Sequence, residues 1–209
     1  MLFADPEHAA PLLRSALPAR IADRIDWRTL TRCPPGQRGR RGKRTICDLL
    51  FAARLHDGRR LLLYLVLEHK SGSSRWVALQ LLEQVAAVAR THHRERPQDP
   101  FLPLVLPIVV HAGPRPWTAP RQVRELFDLT HGPAALHTHL PSLEFVLDDL
   151  HAAPPERLRQ RALSILGLCG LSTLQYLPPA ARDPLAFAAW VEAWRDVLQA
   201  ASSYADATS

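Results

Sequence analysis

Residues 102–111 read Leu-Pro-Leu-Val-Leu-Pro-Ile-Val-Val-His, and this segment narrows the available folds more than any other. A strand with one wet face alternates polar and apolar side chains. A strand without alternation is buried on both faces and must be covered on both. The charge-free run from Pro100 to His111 carries three prolines. It is also too short to span a bilayer, which takes about 20 apolar residues. It therefore reads as an interior strand of a sheet with helices on either side.

The neighbouring patterns supply the rest of that architecture. From Asp5 to Ile25, the residues Ala9, Leu12, Leu13, Leu17, Ile21 and Ile25 recur at helical spacing, with Pro6 in a first turn that tolerates proline. The pattern breaks into a Pro-Pro-Gly turn and a basic run between Arg32 and Arg44. Thr45–Leu55 and Arg60–Lys70 read as two strands joined at Asp57-Gly58 into a hairpin. Ser71–Ser74 makes a turn and a helix cap, and Arg75–Arg94 a long helix with Val77, Leu81, Val85 and Val88 on its apolar stripe. Arg121–Leu129 is expected as a short helix and Leu143–Leu150 as a fourth strand. Beyond Pro155 the chain reads as two or three helices, broken around Pro178-Pro179 and Pro184. The expected fold class is α/β, a small mixed sheet flanked by helices. Residues 1–150 form the sheet domain and residues 151–209 a helical C-terminal extension.

Lys and Arg exceed Asp and Glu by 26 to 20, a net charge of +6. Such an excess favours a polyanionic partner, and nucleic acid and an anionic membrane surface both fit. Cys33, Cys47 and Cys169 are odd in number and widely spaced, matching neither a disulfide framework nor zinc-ligand spacing. Met1 is followed by Asp5, Glu7 and a helical pattern rather than a signal peptide, so the expectation is a cytoplasmic protein.

Charges that interrupt apolar strands are the places to look for chemistry, because charge there is costly unless paired or bound to metal. Asp48 interrupts the first hairpin strand, and Glu68 and Lys70 end the second. Glu68 and Lys70, two apart, emerge on one face. Whether Asp48 joins them depends on the turn. A two-residue turn at Asp57-Gly58 would set Asp48 opposite Leu67, on the other face. A three-residue loop of His56, Asp57 and Gly58 sets it opposite Val66, with Glu68 as its diagonal neighbour. The longer loop needs a left-handed residue at its end, which glycine supplies, so positive φ is expected at Gly58. Two converging carboxylates can hold a hard divalent ion such as Mg2+, and a lysine beside it can orient water and add positive charge. Glu-x-Lys at a strand end is, however, more often a solvated salt bridge, so spacing alone suggests this site without establishing it.

The run from Asp48-Leu49-Leu50-Phe51 through Tyr64-Leu65-Val66-Leu67-Glu68-His69-Lys70-Ser71 to Leu104–Gly113 and Trp117 resembles the YhgA-like, or Rpn, family of transposase-related, recombination-promoting nucleases. Leu2–Glu7 and Leu143–Leu147 are similar to its flanking blocks, so the resemblance covers about residues 2 to 150. It implies a PD-(D/E)xK, restriction-endonuclease-like fold and a Mg2+-dependent DNA endonuclease linked to recombination or transposition. By position, Asp48 and Glu68 match the metal-binding carboxylates and Lys70 the last residue of the signature. The family often has glutamine at that last position. Gln80 and Gln84, four apart on the following helix, stand where members often have Arg and Tyr, and are auxiliary candidates. Glu7 stands where the wider superfamily often draws a further acidic ligand from the first helix.

The loop ahead of Asp48 holds Arg38, Arg40, Arg41, Lys43 and Arg44, five positive charges in seven residues. Without interleaved aromatics these suit DNA phosphates rather than stacked bases. DNA is the expected partner, with no membrane association, and a homo-oligomer is compatible with the sequence. The rival reading is a catalytically inactive DNA-binding remnant. His137 and His139 lack a third ligand nearby and read as a surface turn, and Trp190 and Trp194 as a packing stripe.

Overall fold

The computed structural model describes residues 2–34, 47–68, 74–113, 115–131, 133–151, 153–180 and 183–208. Five strands form one mixed sheet in sequential order: β1 (Ile25–Arg32), β2 (Cys47–Leu55), β3 (Arg60–Glu68), β4 (Leu104–His111) and β5 (Val146–Asp149). The pairs β1–β2 and β2–β3 are antiparallel, while β3–β4 and β4–β5 are parallel. Parallel neighbours cannot be joined by a tight turn. The β3–β4 connection accordingly contains α3 (Val77–Glu95), and the β4–β5 connection runs through two 3-10 turns, Val123–Leu126 and Ala134–His139.

Both faces of the sheet are covered, as the unalternating strands require. On one face Leu49, Phe51, Leu63, Leu65, Ile108 and Val110 pack with Leu12 and Leu13 of α1 (Pro6–Ala16) and with Leu158, Leu171, Trp194 and Val197 from the C-terminal helices. On the other face Leu50, Leu62, Tyr64, Val66 and Val109 pack with Val77, Ala78, Leu81 and Val88 of α3. Pro107 lacks a donor but is tolerated inside β4: it lies opposite Tyr64, and pairing with β5 begins only at Ile108.

The first helix is shorter than its apolar spacing suggests. Asp5 caps α1 by accepting from the Glu7 amide at 2.9 Å, with Pro6 in the first turn. The helix stops at Ala16 because Pro18 forces Leu17 into extended backbone. A single turn, α2 (Ala19–Ala22), follows, and Ile25 opens β1 instead of closing a helix. Ile21 and Ile25 thus keep helical spacing by coincidence, and the sheet has a fifth, edge strand that the pattern hid. Register slips between Asp26 and Thr31 of β1, where the Thr29 hydroxyl accepts from the Arg54 amide at 2.8 Å.

Other boundaries also move. The segment expected as a helix over Arg121–Leu129 forms only the 3-10 turn Val123–Leu126, and the fourth expected strand is confined to Val146–Asp149. At the C-terminal side lie α4 (Pro155–Arg159), α5 (Ile165–Ala180), α6 (Pro184–Ala193) and α7 (Arg195–Thr208). The break expected at Pro178-Pro179 falls later, since α5 runs on to Ala180. Asp183 caps α6 by accepting from the Leu185 amide, with Pro184 in the first turn. Trp194 is buried, with Arg159 stacked 4.6 Å from its ring centroid, and Trp190 packs against the same core. No helix among the described residues is long and apolar enough to cross a membrane.

Candidate active site

The β2–β3 hairpin decides which residues can meet. Its loop is the three-residue form: Leu55 N–H donates to Arg59 O at 2.8 Å, Gly58 N–H donates to Leu55 O at 2.8 Å, and Gly58 has φ +87°. The Asp57 carboxylate accepts from the Arg59 backbone at 3.0 Å and from its guanidinium at 2.7 and 2.9 Å, which braces the turn. Asp48 consequently lies opposite Val66, as expected from the loop length. By the period of the strand, Asp48, Val66 and Glu68 share the face on which α3 packs. Asp48 and Glu68 are diagonal neighbours there.

The other expected residues divide. Lys70 and the basic positions Arg38, Arg40, Arg41, Lys43 and Arg44 lie outside the described residues. Gln80 is exposed and Gln84 half-buried, one turn apart on the helix covering the Asp48–Glu68 face. Glu7 is on α1, against the opposite face, and accepts a hydrogen bond from the Tyr204 hydroxyl at 3.3 Å. His137 and His139 sit in a 3-10 turn, and among the residues whose side chains are described, which leaves out Asp48 and Glu68, no three His, Cys, Asp or Glu side chains converge as a metal site.

One pair at this end of the sheet was not anticipated. Glu68 is the register partner of His111 at the end of β4, and His111 is the partner of Asp149 at the end of β5. His111 is 1% exposed, and its Nδ1 is 2.9 Å from Asp149 Oδ1. Asp149 also accepts from the amides of Trp117 at 2.9 Å and His151 at 3.1 Å. Burial pushes the Asp149 carboxyl up, but the hydrogen bonds from His111, Trp117 and His151 outweigh it and hold the group below the usual carboxylate range. The Trp117 ring meets the His111 ring edge-on at 5.3 Å and Phe145 at 5.8 Å. From the far face, Gln175 and Tyr176 of α5 hold the segment after β5: the Gln175 amide donates to the Leu150 and Ala153 carbonyls, and the Tyr176 hydroxyl to Ala153 O at 2.8 Å. The available signal was a histidine closing an all-apolar strand, with an aspartate closing the next.

No curated protein and no solved structure matches the chain. A family model does match, over residues 1–199, and so takes in the whole sheet and most of the C-terminal helices. On that match the chain belongs to the family described as "Putative transposase, YhgA-like".

Proposed function

We propose that this chain is a metal-dependent DNA endonuclease of the PD-(D/E)xK kind, hydrolysing phosphodiester bonds in recombination or mobile-element transposition. The observation that carries this reading is the register that sets Asp48 opposite Val66 and so beside Glu68 on one face, at the end of strands otherwise filled with apolar residues. Membership of a transposase family supports DNA as the substrate. Two carboxylates form an all-oxygen donor set, which fits Mg2+ or a similarly hard divalent cation. Asp48 and Glu68 would hold that ion, and when bound it supplies Lewis acidity at the phosphate and a water of lowered pKa. Lys70, two residues beyond Glu68, would orient the attacking water and set positive charge beside the phosphate as the bond breaks. Arg38, Arg40, Arg41, Lys43 and Arg44 would neutralise backbone phosphates, and Gln80 and Gln84 would add neutral polar contacts from α3.

The test is nicking of supercoiled plasmid with Mg2+ against EDTA. Wild-type protein should cut only with metal. Asp48→Ala and Glu68→Ala should each abolish cutting with folding intact and DNA binding retained, since losing a carboxylate lowers repulsion from phosphate. Wild-type protein inactive with every divalent metal would leave an inactive DNA-binding remnant as the better description. Undiminished cutting by both variants would remove these two residues from the mechanism.

A further inference from the structure

We propose that His111 is a nitrogen ligand of the metal site, held in place by Asp149. The inference rests on the reading of Asp48 and Glu68 as metal-binding carboxylates and adds a third donor of a different kind. Glu68 and His111 are register partners on adjacent parallel strands. Neighbouring strands lie about 4.8 Å apart, so the two positions are nearest neighbours across the sheet. By the period of β4, His111 falls on the same face as Val109, and therefore as Glu68 and Asp48.

The histidine is already arranged as a ligand. A carboxylate can only accept, so the 2.9 Å contact between Nδ1 and Asp149 puts the ring proton on Nδ1. In the neutral ring the lone pair then resides on Nε2. That atom is buried and, among the described residues, has no hydrogen-bond partner. Buried acceptors are nearly always satisfied, so one left open at the end of a strand, in register with a carboxylate, marks a missing ligand. Metal-binding histidines characteristically donate their second nitrogen to a carboxylate, which fixes tautomer and ring direction. Asp149 does this here and is itself fixed by the Trp117 and His151 amides, while Trp117 packs edge-on against the imidazole. A donor set of two carboxylates and one imidazole shifts preference from Mg2+ toward Mn2+ and later transition metals, for which nitrogen is a better ligand.

The experiment loads the full chain with Mn2+ and records pulsed electron paramagnetic resonance together with Mn2+ and Mg2+ affinities. The expected result is 14N modulation on the bound Mn2+. It should be lost in His111→Tyr and kept in His69→Ala, which removes the histidine next to Glu68 in sequence. Asp149→Ala should weaken Mn2+ binding about 10- to 100-fold. The wild-type spectrum decides the matter even if His111→Tyr does not fold. Bound Mn2+ that requires Asp48 and Glu68 but shows no nitrogen coupling would overturn the His111 assignment and leave the carboxylate site standing. Coupling that persists in His111→Tyr at wild-type affinity would overturn it equally. Absence of any Mn2+ binding would overturn both readings.

Discussion

Replacing Gly58 by alanine tests the turn on which the whole site geometry depends. Gly58 has φ +87°, and a Cβ built there meets no atom within 4 Å. Collision therefore contributes nothing, and the cost is that of holding an L-residue in left-handed backbone, about 1–2 kcal/mol. Alanine also restricts the unfolded chain, which returns about 0.4–1 kcal/mol. The net loss is about 1 kcal/mol, which lowers Tm by about 2–4 °C in a chain of this size. Gly58→Asn should lose less, since asparagine enters that region more readily, and Gly58→Val more, since a β-branched side chain enters it least. Thermal unfolding followed by circular dichroism gives all three. Because β2 and β3 pair continuously from Cys47–Leu67 to Arg54–Arg60, the alanine variant should keep its register and any cleavage activity. Asparagine and valine variants ranked the other way would refute a left-handed Gly58 and with it the placement of Asp48 beside Glu68.

Three further outcomes follow from separate parts of the molecule. Trp194→Ala removes a side chain that is 1% exposed and should cost about 3–5 kcal/mol in urea unfolding, so a loss under about 1 kcal/mol would mean that Trp194 is not a core residue. The Arg159 guanidinium, bonded to Asp196 at 2.7 and 2.9 Å, holds the Asp196 carboxyl down from 3.8 to about 2. Since the folded value is the lower one, the pair's contribution is complete above the unfolded value and is lost as pH falls through about 2. An NMR titration should show that midpoint, returning to about 4 in Arg159→Gln. Neutralising Arg38, Arg40, Arg41, Lys43 and Arg44 should weaken binding to all DNA sequences alike, and the salt slope should fall by about 0.9 for each phosphate that is no longer neutralised. An unchanged slope would place the DNA footprint elsewhere.

What could be read without coordinates was whatever a short stretch of chain decides by itself. The face shared by Asp48 and Glu68 follows from counting residues around one loop and asking which of them tolerates positive φ, and both points hold in the structure. The β1 strand was hidden because Ile21 and Ile25 extend a helical spacing past Pro18, where only the proline's effect on Leu17 reveals the break. The His111–Asp149 pair was illegible for a different reason. The two are separated by 38 residues of turns and 3-10 segments, and nothing local states that β5 lies beside β4 in that register. That Nε2 of His111 has no hydrogen-bond partner among the described residues likewise depends on what surrounds it in space and not in sequence.

The cover supplied by Leu158, Leu171, Trp194 and Val197 has a consequence for how the protein is made. Chains emerge from the ribosome N-terminus first at about 5–20 residues per second. All five strands are out by Asp149, yet the face holding Leu49, Phe51, Leu63, Leu65 and Ile108 has only α1 to lie against until α5 and the α6–α7 junction follow. For several seconds the nascent chain carries all five strand sequences while the apolar residues of that face lack most of their cover, the kind of surface that holding chaperones bind. Gln175 and Tyr176, which pin the segment beyond β5, arrive in that same interval. The segment that follows Asp149 can thus be pinned only once α5 has left the ribosome.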